Sequence, residues 1–131
     1  MTLVAPQTRI RRPRLATLLT GAGVVLVPWM VVLARTLPPT VEVSNWPLAW
    51  IGLDAGLAVG LAGTGVLLRR GDPRAQAAAA ATGALLVMDA WFDVTTSAPG
   101  PQLATAVALA ACVELPLAAA CAVVAIRQPS R

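Results

Sequence analysis

The chain has 131 residues, enough for one domain, with 57 % hydrophobic and only 12 % charged residues, against roughly 45–50 % and 25 % in soluble domains. Its net charge of +4 comes from ten arginines and no lysine, set in short clusters beside apolar runs. A nucleic-acid binder would spread them along one polar face among stacking aromatics, so that class is excluded. There is no histidine and no CxxC pair, which removes the commonest metal ligand and the commonest general base. Neither a metal nor a cofactor is expected. The available chemistry is that of carboxylates, hydroxyls, amides and tryptophan.

The composition is that of a membrane protein, and the chain reads as four spans. A basic segment with Arg9, Arg11, Arg12 and Arg14 precedes the first apolar run, 15–34. About 20 apolar residues are enough to cross a hydrocarbon core. Pro28 interrupts this run, as neighbouring helices allow. Val32-Leu33-Ala34 has the form of a signal-peptidase site, but the run is too long for a typical secretory signal and reads as an uncleaved span. A Pro-containing loop then leads to the second run, 46–68. Its Gly52, Gly56 and Gly60 repeat a small-xxx-small spacing that lets another helix approach closely. This seam is expected to receive a second copy of the chain or a partner membrane protein.

In the turn Arg69-Arg70-Gly71-Asp72-Pro73-Arg74, Asp72 is expected to cap the third helix, with Pro73 at its first position. The third run, 75–96, is Ala-rich and carries Asp89 and Asp93. Each carboxylate costs roughly 2.5–3.5 kcal/mol at a helix centre on insertion scales. Such a helix should be surrounded by the others. The fourth run, 103–126, holds Glu114 near its middle with Pro116 just after, which frees the carbonyl of Cys112 in an α-helix. Cys112 and Cys121 lie nine residues apart, on opposite sides of a helix, and read as small buried hydrophobes.

Nine of the ten arginines fall in the N-terminal segment, the 69–74 turn and the C-terminal tail. Those segments share one side of a four-pass protein, and only Arg35 lies on the other. The expected fold is therefore all-α: a single four-helix transmembrane bundle over 1–131. By the positive-inside rule both termini are cytoplasmic, in the plasma membrane of a bacterium.

The chemistry gathers in Met88-Asp89-Ala90-Trp91-Phe92-Asp93-Val94. Asp89 and Asp93 are four apart, on one helical face with Cβ atoms about 5–6 Å apart. Two ionised carboxylates that close in a low dielectric repel, so at least one takes a proton or shares a cation. Ionisable groups at membrane depth are functional-site candidates by default. Asp54 and Glu114 complete the candidate acid set, with no Arg inside the spans to pair with it. Trp29, Trp50, Trp91, Asn45 and Thr96 are the candidate substrate contacts, all in the outer half. At 1.5 Å per residue, Asp89 and Asp54 sit about 10–12 Å below the outer boundary, Asp93 above them and Glu114 deeper.

Asp89-Ala90-Trp91-Phe92-Asp93-Val94 followed by Glu114-Leu115-Pro116-Leu117-Ala118 and Cys121 resembles a group of small four-pass membrane proteins from high-GC actinobacteria. The resemblance covers the last two helices, and it implies topology rather than an activity. Other likenesses fail. The Asp89–Asp93 spacing is similar to a diphosphate–magnesium motif of membrane prenyltransferases, which need a second Asp-rich motif. Small multidrug exporters carry their membrane Glu in the first helix, not the fourth.

Three functions stay open. One is a small proton-coupled transporter, with Asp89 and Asp93 as the proton site and Asp54 and Glu114 as relays or ligands. Another is an accessory or assembly subunit whose acids meet a basic residue on a partner helix. The third is a membrane enzyme that uses a carboxylic acid as proton donor on a lipid or isoprenoid, in the manner of terpene cyclases.

Overall fold

The computed structural model describes residues 12–127, with side-chain surroundings from residue 16 onward. Arg9, Arg11 and Arg131, and the basic segment and tail that hold them, lie outside the described residues. Among the described residues all regular structure is helical: α1 (Arg12–Thr36), α2 (Trp46–Arg69), α3 (Arg74–Thr96), α4 (Pro101–Leu109), a π-helical turn (Ala110–Glu114) and α5 (Leu115–Ile126). Four stretches are long and apolar enough to cross a membrane: Ala16–Thr36, Trp46–Arg69, Arg74–Thr96 and Pro101–Ile126. The expected all-helical, four-span architecture is what the chain adopts.

The chain divides into two compact units, Met1–Val43 and Ser44–Arg131. In the first, α1 continues through Pro28, and its large apolar side chains, from Leu18 to Val32, are exposed. A helix that is apolar all round belongs in lipid or inside a larger assembly.

In the second unit α3 is the centre. It packs against α2 on one side and against α4, the π turn and α5 on the other. Its buried residues Ala75, Ala79, Thr82, Leu86 and Asp89, continued by half-buried Asp93, alternate in steps of four and three. That is the heptad-like seam of helices crossing at a shallow angle. The partner stripe on α2 is Leu53, Leu57, Gly60 and Thr64, in the same rhythm. The poor membrane propensity of α3 is thus offset by neighbours on two sides.

Small residues set the spacing. A Cβ added at Gly83 would lie 3.1 Å from Cys121 Cβ and 3.4 Å from the Ala118 carbonyl oxygen, so α3 and α5 are nearly in backbone contact there. One at Gly60 would meet Thr82 Oγ1 at 2.6 Å. The expected glycine seam is therefore divided: Gly60 is taken up by α3 of the same chain, while Gly52 and Gly56 have nothing within 4 Å. The apolar core is Leu57, Ala79, Leu86, Ala118 and Cys121. Both cysteines are free, but only Cys121 is buried. The expectation that Cys112 is buried too is corrected, because the same helix turns it away from α3.

Helix α3 starts one residue later than expected, with Pro73 at the N-cap and Arg74 first, and Asp72 serves this end from just outside it. Its carboxylate accepts the Arg74 backbone N–H at 2.9 Å and pairs with the Arg74 guanidinium at 2.7 Å. At the same end of the molecule the Gln76 side-chain amide donates to the Arg127 carbonyl, tying the start of α3 to the end of α5.

Candidate functional site

The packing register decides where the acids stand. Gly83 faces the stretch Ala118–Ala122 on the antiparallel α5, centred near residue 120. Gln76, seven residues before it, meets Arg127, seven residues after that centre, so the register is regular. Six residues onward from Gly83 is Asp89, and six back from residue 120 is Glu114. The two are therefore level. On the other flank Thr82 sits between Gly60 and Thr64 of α2. Seven residues on is Asp89 again, and about eight back from that midpoint is Asp54. Three helices thus place one carboxyl each at about the same height along α3, with Asp93 one turn further on.

Electrostatics agree with the register. Asp89 has Asp93 and Asp54 as acidic neighbours, and Glu114 has Asp89 and Asp93. Glu114 was expected to lie deeper than the others. The register instead sets it level with Asp89: Gly83 opposite residue 120 puts Thr96, the end of α3, opposite residue 107, so the start of α4 at Pro101 extends past α3. Asp89 lies seven residues short of Thr96, about 10 Å from that end of the helix.

The four differ in burial. Asp89 is 7 % and Glu114 9 % exposed, and Glu114 Oε2 is buried without a hydrogen-bond partner. Asp93 is half-buried and Asp54 exposed. The layer therefore runs from an open edge on α2 to a closed end on the α4–α5 side. No basic residue lies in the interior of these helices: the described arginines of this unit stand at residues 69–74 and at 127, near the far end of α3.

The π turn aims Glu114. On a uniform α-helix each four-residue step drifts about 40° around the axis, so Ala106, Ala110, Glu114 and Ala118 would spread over about 120°. All four are nevertheless buried on the α3 side. The wider turn, in which the Leu115 N–H donates to Ala110 O five residues back, absorbs part of that drift. Its cause is Pro116, which has no N–H to continue the α ladder. Single π turns recur at functional sites.

A second polar pair lies two turns from Asp89 toward the α3 N-terminus. Thr82 Oγ1 donates to the Ala78 carbonyl at 2.8 Å and stands 3.5 Å from Thr64 Oγ1. A hydroxyl has one proton, so Thr64 is the donor between them. Thr64 escaped the reading of the sequence; its place in the 53–57–60–64 stripe was the available signal.

The candidate substrate contacts separate. Trp50 is half-buried, one turn from Asp54, and packs edge-on against Trp46 with ring centroids 5.4 Å apart at 78°. Trp91 is 66 % exposed, about 200° around α3 from Asp89. Asn45 is exposed in a left-handed conformation (φ 60°), where its carbonyl accepts the Ala49 N–H and starts α2. Thr96 is exposed and donates to the Phe92 carbonyl of its own helix. Trp29 belongs to the first unit and is exposed. Among the described residues no three acids or cysteines form a group that could hold a metal ion.

Fold and site together define an all-helical protein with four membrane-length helices and a carboxyl layer across three of them. No family model matches the chain, nor does any curated protein or solved structure.

Proposed function

We propose that this is an integral membrane protein of a bacterial plasma membrane, with both termini cytoplasmic, and that its carboxyl layer is the proton site of a small proton-coupled transporter. The observation that carries the reading is the level alignment of Asp54, Asp89 and Glu114 with no cation among them. In a low dielectric such groups hold protons or an external cation. The roles follow from burial: Asp89 and Glu114 hold the proton, Asp93 shares it, and Asp54 is the entrance. Nine arginines on one side of the four spans support the orientation.

A pH gradient imposed on liposomes holding the purified protein tests this. Proton flux that disappears in an Asp89→Asn, Glu114→Gln variant supports the reading, and flux that persists in it rejects the site. One observation favours an accessory role instead: Asp54 is exposed on the same helix as the open Gly52 and Gly56. A partner helix seated on those glycines would lie about 200° around α2 from Asp54, so the basic residue that meets Asp54 would come from a second helix of that partner. Co-purification of a membrane protein that is lost in Gly56→Leu would favour that role.

A further inference from the structure

We infer that the carboxyl layer takes a singly charged organic cation with an apolar body, entering sideways from the membrane past Asp54 and Trp50. The inference rests on the proton-site reading and names what exchanges with the proton. The first ground is Glu114. Its Oε2 is buried and unpartnered, in a side chain 9 % exposed that faces Asp89 and Asp93. An acceptor left bare at that depth is costly unless a proton or ligand meets it.

The second ground is the open edge. Asp54 is exposed between this closed end and the outside, so the layer is reached from the flank of α2, not along a helix axis. Trp50 stands one turn away with its ring edge-packed on Trp46, and a tryptophan face within about 6 Å attracts an organic cation. The third ground is the lining. Half-buried Leu53 adjoins Asp54 on α2, and the core residues Leu57 and Leu86 stand one turn from Asp54 and Asp89, so the surroundings of the acids are apolar, which suits an apolar body and not a hydrated ion. The groups that set the pH dependence are Asp93 on α3 itself, Asp54 on α2 and Glu114 on the α4–α5 side. Binding of one monocation displaces one proton, so charge is conserved.

The test titrates the full-length protein in detergent with tetraphenylphosphonium, following tryptophan fluorescence and proton release into weak buffer. Neutral triphenylphosphine oxide is the control. The expected result is saturable binding of the cation alone, with protons released and affinity falling as the medium is acidified. Glu114→Gln and Asp54→Asn should each weaken binding about tenfold or more, and Trp50→Leu about three- to fivefold. Asp54 is exposed, so its variant keeps the fold even where Glu114→Gln does not; monodispersity and helical content check both. Equal binding of the neutral oxide, or wild-type affinity in Asp54→Asn, overturns the inference. Proton flux in liposomes without cation binding overturns it too, and leaves the proton site standing; absence of both removes the two together.

Discussion

Glu114 and Asp72 show how differently one chain treats two carboxylates. Glu114 lies buried with an oxygen that no donor meets, whereas Asp72 has all it needs at the surface. The Arg74 side chain, then the Arg74 backbone N–H, hold the Asp72 carboxyl at about 2, down from 3.8. Its folded value is the lower one, so the stabilisation is complete above 3.8 and is lost as pH falls through about 2. Asp72→Asn should lower the melting temperature in detergent slightly at neutral pH, and the difference from wild type should vanish in strong acid. Gly83 makes a steeper test. Gly83→Val puts atoms into Cys121 and the Ala118 carbonyl and should cost about 1–3 kcal/mol. Gly52→Ala, in open space, should be neutral or stabilise by up to about 1 kcal/mol; thermal melts of both variants compare them. The sequence displayed the Gly52–Gly56–Gly60 repeat and left Gly83 unremarked. A spacing motif marks where close approach is possible, and only the facing helix decides which glycine is used.

At the scale of elements, α3 was legible and the last helix only in part. Ala-richness and two aspartates made α3 a poor span that needed neighbours, and it packs at the centre of its unit. Pro116 was visible as a break. That the chain answers it with a π turn, which rotates Glu114 onto α3, depends on how the two halves of the helix are gripped by α3 and is not written in the local sequence. The same holds for the height of Glu114. Counting from each helix start misplaces it, because the loop at Ser97–Gly100 lets α4 overhang. Restoring the N–H in Pro116→Ala should let the α ladder run through, swing Glu114 by tens of degrees and abolish proton flux. Melting temperature should hold or rise. Flux at wild-type level in Pro116→Ala would mean that the π turn does not position the acid.

For the whole molecule, the exposed apolar side chains that stud all four long helices suit lipid contact, and the fold class followed from composition and run lengths alone. What composition could not supply was the common height of the acids, since that rests on two interhelical registers fixed by Gly60–Thr82 and Gly83–Cys121. Orientation is checked with single cysteines in a background lacking Cys112 and Cys121. An impermeant maleimide added to intact cells should label residue 100, and residue 71 only after the membrane is opened.

The measurement that bears most directly on the carboxyl layer is proton flux into liposomes under an imposed pH gradient, wild type beside the Asp89→Asn, Glu114→Gln variant, with the fold of each verified by its helical content. Flux in the wild type that falls to the empty-liposome rate in the variant is the result expected from three level carboxyls with no cation of their own. Equal flux in the two proteins, or none in either, would contradict it.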